Sequence, residues 1–155
     1  MLRTLLLDEE PDQRAAADLI AAGMAMACAE ADLMRASELD VLGAPGGGVV
    51  VRYADQFTNH LYRTTHGHVA AGVAALNTKM GSVTISLAEP VEGVSCREIV
   101  QGLWGPDAGG HDGIAGSPRG QQMTPEDLHK AAGRLLVELD PDAALTLALS
   151  GKLTR

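Results

Sequence analysis

Ala108-Gly109-Gly110-His111-Asp112-Gly113-Ile114-Ala115-Gly116-Ser117-Pro118-Arg119-Gly120 packs five glycines, a histidine, an aspartate, a serine and an arginine into one turn-rich stretch. Glycines let the backbone take positive φ and come close to a ligand, so several N–H groups can converge on one anion. The imidazole, hydroxyl and guanidinium add side-chain donors beside that cradle. The plainer alternative is a solvent-exposed surface loop. What sets the stretch apart is its order: Gly-Gly-His, two spacers, an apolar residue, then Ala-Gly.

Outward from the loop, strand and helix patterns alternate. Ser82 to Leu87 reads as a strand. Thr65 to Leu76 reads as another, interrupted by Gly67 and Gly72, and the chain turns between the two through Asn77-Thr78-Lys79 to pair them antiparallel. Val49 to Tyr53 is a short buried strand, and Asp55 to Tyr62 reads as a brief helix with Asp55 as its N-cap. Ser95 caps a helix from Cys96 to about Leu103, with Ile99, Val100 and Leu103 as its apolar face. Beyond the loop, Thr124-Pro125-Glu126-Asp127 supplies a cap and a first-turn proline for a further helix. Leu128, Leu135, Leu136 and Leu139 form its buried side, and Asp140-Pro141 ends it. Leu145, Leu147 and Leu149 alternate over too few residues to choose strand over helix. The expected class is α/β: a small mixed β-sheet flanked by helices and preceded by one long N-terminal helix.

That first helix opens at Asp8-Glu9-Glu10-Pro11, where acids suit the positive helix end and proline is tolerated. From Gln13 to about Leu39, Ile20, Met24, Ala27, Ala31 and Met34 recur at helical steps, as core packing or as a dimer seam. Gly43-Ala44-Pro45-Gly46-Gly47-Gly48 breaks the pattern. It lacks the Lys-Ser/Thr ending of a phosphate loop and reads as a linker or turn. The 155 residues fit a single domain, with 1–42 as an N-terminal helical segment and 46–140 as the α/β core.

Net charge is −8, and it is uneven: residues 1–40 carry three arginines against nine acids, whereas the rest is nearly balanced. A basic duplex-DNA surface is therefore not expected, while a small phosphorylated ligand is compatible. Trp104, Phe57, Tyr53 and Tyr62 are the only aromatics, too few for a base-stacking platform. Cys28 and Cys96 show no metal spacing and read as reduced thiols, Cys28 as a small helix-packing residue. No apolar run reaches membrane-spanning length, and Met1 to Leu7 is too short for a signal peptide. The expectation is a cytoplasmic protein without a membrane partner.

The Gly-Gly-His loop and the elements around it resemble the DHH-associated domain, the carboxy-terminal substrate-binding domain of the DHH-family phosphoesterases. Gly109, Gly110 and His111 match that family's signature triplet. Ala115 and Gly116 fall where its Ala-Gly pair follows, and Ile114 stands where alanine is common. The strand at Gly81 to Ala88 and the helix after Ser95 come in the family's order, so the resemblance covers about Gly46 to Leu139. It implies a phosphate-bearing ligand, a nucleotide or a single-stranded nucleic-acid end, held in the loop. Gly109, Gly110 and Gly116 would give backbone access, His111 would donate to phosphate or sugar, and Ser117 and Arg119 would add donors. Asp112 would orient His111 or bond a turn N–H.

Two departures qualify what the resemblance implies. The family often places an arginine in the strand before the loop, but here the strand reads Ser82-Val83-Thr84-Ile85-Ser86, which leaves phosphate to Arg97 or Arg119. No Asp-His-His tripeptide occurs in the chain. The implied protein is thus a substrate-binding half, not catalytic alone, with no catalytic residue, metal or cofactor of its own. It would be a stand-alone binding module, or a substrate-binding subunit or fragment serving a separate phosphoesterase domain. A third reading is a structural oligomerisation protein with a vestigial loop. A homodimer is the expected assembly, since two-fold contacts are the commonest.

One further cluster carries titratable groups: His60-Leu61-Tyr62-Arg63-Thr64-Thr65-His66-Gly67-His68. On a strand, His66 and His68 would share a face, as metal ligands, as supports for the glycine loop, or as plain structural histidines. Ser117 lacks a nucleophile elbow and is followed by proline.

Overall fold

The computed structural model describes residues 2–151, with side chains from residue 12 onward. The chain divides into two units, Met1–Leu33 and Met34–Arg155. The first is formed by helix α1 (Leu2–Ser37), whose last turn belongs to the second unit. The start expected at Asp8 to Pro11 falls inside this helix, and the side chains that would cap it lie outside the described residues. Within its own unit α1 exposes Leu19, Ile20, Met24 and Met26, and Cys28 is exposed too, not packed as its small size suggested.

The second unit is a mixed six-stranded sheet in the order β1-β2-β3-β4-β6-β5. Its strands are β1 (Glu38–Leu42), β2 (Val49–Ala54), β3 (Gly72–Asn77), β4 (Ser82–Leu87), β5 (Gly109–Gly110) and β6 (Ile114–Gly116). Only β2 and β3 run parallel, and every other pairing is antiparallel. The helical reading to Leu39 is overturned at Ser37, where the chain enters β1. Gly43 to Gly48 is the turn joining β1 to β2, and a side chain at Gly48 would collide with the Leu42 carbonyl oxygen.

Alternation along the strands gives the sheet two buried faces. Val49, Val51, Ala74, Leu76, Val83 and Ile85 face α2 (Cys96–Trp104), α3 (Pro125–Leu139) and α4 (Pro141–Leu149) in the main core. Ser95 caps α2 by accepting from Glu98 N at 3.3 Å. Thr124 and Asp127 form a reciprocal capping box on α3, and Asp140 both ends α3 and caps α4. Leu145 to Leu149 is therefore helical, because proline at the first position and the Asp140 cap start a new helix at once.

Residues 55–71 cover the opposite face over a smaller core of Val50, Ala70, Val73 and Ala75. The helix expected from Asp55 to Tyr62 is absent; the chain there makes bends and turns. The strand expected from Thr65 begins only at Gly72, and before it lies a loop closed by the isolated bridge Arg63 to Val69. What fixes this cover is Arg52, fully buried in the middle of β2. Its Nε donates to Leu61 O (2.8 Å) and Nη2 to Arg63 O (2.7 Å), while Nη1 donates to Met34 O (2.6 Å) and Ser37 Oγ (3.0 Å). Burial pulls this guanidinium below its ordinary pKa, and Glu38 opposes the shift. Tyr62 adds a bond from its hydroxyl to Leu87 O at 3.0 Å.

Candidate functional site

The glycine-rich stretch folds as a β-hairpin at the edge of the sheet. β6 pairs with β4 and β5 with β6, and His111 N donates to Ile114 O at 2.6 Å. Since bonded and non-bonded pairs alternate along an antiparallel ladder, the Gly110–Ala115 pair is non-bonded. Gly110 therefore turns its N–H away from β6, to the open edge. Its φ of +149° and a would-be Cβ at 2.6 Å from Ala115 Cα show that the hairpin itself requires glycine there.

The hairpin tip is fastened to the start of α2. Asp112 O accepts from Cys96 N at 2.9 Å, and the Asp112 carboxylate accepts from Ser95 Oγ at 2.6 Å and pairs with Arg97 at 3.6 Å. Asp112 thus holds a turn in place, and its partners are Ser95 and Arg97, not the imidazole of His111. Behind the tip, burial and the nearby Asp112 charge push the Cys96 thiol up to about 11.

Gly109, Gly110, Ser117 and Arg119 line one concavity of about 850 Å³, together with Asp107, Pro118, Gly120 and Gln121. Ser117 Oγ accepts from Val83 N at 3.1 Å, which leaves its hydroxyl proton free to be donated. Arg119 is exposed at the rim. Chemically the hollow offers a guanidinium, a hydroxyl and an outward backbone N–H opposed by one carboxylate, a set suited to an anionic group. Exposed His111 and Asp112 and half-buried Gly116 are not among its lining residues, so the structure divides the predicted site. Arg97 is engaged with Asp112.

His66 and His68 lie elsewhere. They sit in the loop before β3 and not on a strand face, and they line a cleft of about 210 Å³ with Gly43 to Gly46 and Gly48 of the β1–β2 turn. They do not support the hairpin. His60 is exposed in the preceding turn. Among the described residues, no three His, Cys, Asp or Glu side chains gather as a metal site, and no helix is long and apolar enough to cross a membrane.

Sequence reasoning passed over Arg52, although an arginine amid Val49-Val50-Val51 is a charge interrupting a buried strand and signals a buried clamp. Comparison with protein-family models, with curated proteins and with solved structures finds no match for this chain.

Proposed function

We propose that the protein is a ligand-binding module resembling the DHH-associated domain, and that it holds a phosphate-bearing ligand against the β5–β6 hairpin. A nucleotide or a single-stranded nucleic-acid end is the ligand class. The observation that carries this reading is the concavity of about 850 Å³ shared by Gly109, Gly110, Ser117 and Arg119. Small-molecule sites commonly span ~300–1,000 Å³. In this reading the module is not catalytic alone, works in the cytoplasm and assembles as a homodimer. A purely structural role, with the loop vestigial, is favoured instead by the exposed Leu19, Ile20, Met24 and Met26 of α1.

Calorimetry with a dinucleotide diester separates these readings, since a diester has no second phosphate ionisation to complicate the signal. Arg119→Ala is expected to cost about 1.5–3 kcal/mol of binding, the worth of a charged hydrogen bond. His111→Ala measures whether the tip imidazole reaches the ligand. Both residues are exposed, so the variants keep the wild-type melting temperature. Gly110→Val is no test of binding, because its side chain breaks the hairpin. Wild-type protein that binds no nucleotide or dinucleotide, or an Arg119→Ala variant that binds as tightly as wild type, removes the loop as the site.

A further inference from the structure

From Leu19 to Ala29, α1 carries no charged residue on any side: Leu-Ile-Ala-Ala-Gly-Met-Ala-Met-Ala-Cys-Ala. A helix segment apolar all round belongs in a buried setting. Yet Leu19 is 74% exposed, Ile20 64%, Met24 65% and Met26 74%. These four residues present on the order of 500 Å² before the alanines are counted, against the ~800 Å² each partner contributes to a standard interface. The segment rises only ~16 Å, about three turns, which suits a groove on a protein.

The second unit carries such a groove. It lies along α2, α3 and α4, holds about 780 Å³, and is floored by Leu103, Val137, Leu145 and Ala148. Val137 and Leu145 are 38% and 56% exposed, so this apolar floor faces solvent. Lys130 and Arg134 stand among its walls. Each pairs with a carboxylate of its own helix, Glu126 at 3.6 Å and Glu138 at 3.7 Å, and keeps further N–H donors free.

The charges are compatible. Asp12, Arg14 and Asp18 precede the apolar segment, and Glu30, Asp32 and Arg35 follow it, so each flank is acidic by one net charge. Two such helices side by side would bring like net charges together, whereas the charged residues lining the groove are Lys130 and Arg134.

We propose that α1 of one copy of this chain docks, through Leu19 to Ala29, into the α2–α3–α4 groove of a second copy. This rests on the homodimer reading and is independent of what the hairpin binds. Exchange of the same contact in both directions closes a two-fold dimer.

Cys28 provides a natural reporter, being exposed within the segment while Cys96 is buried. The wild-type chain is expected to sediment as a dimer. Val137→Glu, Leu145→Glu and Met24→Glu should each weaken that dimer about thirtyfold or more, as a charge forced into an apolar contact does. All three sites are already partly exposed, so circular dichroism melts should match wild type. Under mild oxidation, Leu145→Cys should yield a covalent dimer on a non-reducing gel, and adding Cys28→Ser should abolish it. A dimer indifferent to the groove charges, a wild-type Cys28–Cys28 cross-link showing helix self-pairing, or an oxidised Leu145→Cys chain that closes only within one molecule overturns the docking while leaving other dimers open. A chain monomeric at every concentration overturns both the docking and the homodimer reading.

Discussion

Replacing Arg52 by methionine removes a donor set on which three separate backbone carbonyls depend. Leu61 O, Arg63 O and Met34 O lose partners at 2.8, 2.7 and 2.6 Å, and Ser37 Oγ loses one at 3.0 Å. Leu61 O and Arg63 O are left bare at ~1–3 kcal/mol each, and Met34 O and Ser37 Oγ, which keep each other at 3.5 Å, lose ~0.5–1.5 kcal/mol apiece, so the gross loss is roughly 3–9 kcal/mol. Against this stands the burial of the guanidinium, which costs several kcal/mol and no longer applies once an apolar side chain of similar length fills the space. The net loss expected is about 3–5 kcal/mol, a large part of the ~5–15 kcal/mol that holds a domain folded. In a chain of this size ~1 kcal/mol moves the melting temperature by about 2–4 °C, so the variant should melt roughly 10 °C or more below wild type. Urea titration followed by circular dichroism gives the free energy directly. Arg52→Lys should fall between the two, since an ammonium keeps the charge but cannot span carbonyls on three sides. A loss under about 1 kcal/mol for Arg52→Met would show that these bonds form no clamp and that the 55–71 cover is held by its apolar contacts.

Two further outcomes follow from buried groups. Burial and Asp112 raise the Cys96 thiol from 9.0 to about 11, so the folded state holds that proton more tightly than the unfolded chain. The resulting stabilisation is whole below pH 9 and is lost as pH climbs toward 11, at most about 2 kcal/mol. Urea midpoints measured from pH 8 to 11 should therefore fall more steeply for wild type than for Cys96→Ala, and parallel slopes would contradict this. Thr58 is fully buried, and among the described residues its hydroxyl has no partner. Thr58→Val keeps the shape and removes the bare polar group, so stability should rise by about 1 kcal/mol; a comparable drop would reveal a hydrogen bond made by that hydroxyl.

The elements most legible in the sequence were those with local punctuation. The Ser95 and Thr124 caps placed α2 and α3, and the alternating run from Ser82 to Leu87 gave β4 its ends. Such signals work because cap and helix, or turn and strand, are neighbours in the chain. β1 was hidden because Glu38 to Leu42 follows a helix with no intervening breaker, and its pairing with β2 is decided across the Gly43 to Gly48 turn. The false helix from Asp55 and the false strand from Thr65 share one cause. Arg52, distant in sequence, supplies donors to the carbonyls of Leu61 and Arg63, and a segment satisfied in this way needs neither helix nor ladder. The loop residues were legible as a group but not in their division. Hairpin register sends Gly110 and Ser117 toward the hollow and leaves His111 near the tip, and composition carries no register.

The two faces of the sheet are covered by unlike materials, and this sets the order in which the protein comes apart. A parallel neighbour is ordinarily reached through a crossover helix, which brings its own ladder of hydrogen bonds. Between β2 and β3 the crossing is made by residues 55–71 without one. Ala70 of the cover meets only three small apolar residues of the sheet, Val50, Val73 and Ala75, in a fully buried cluster, while the opposite face packs three helices. Few buried contacts and side-chain tethers in place of a ladder make a low-stability unit that opens before the rest. Amides of residues 55–71 would then exchange with solvent deuterium well ahead of those in α3, and a protease would first nick the exposed run from Thr65 to Val69. Each such opening bares the Val50 and Val73 face while the three helices stay in place, so the intermediate most prone to aggregate keeps nearly all of its helix signal.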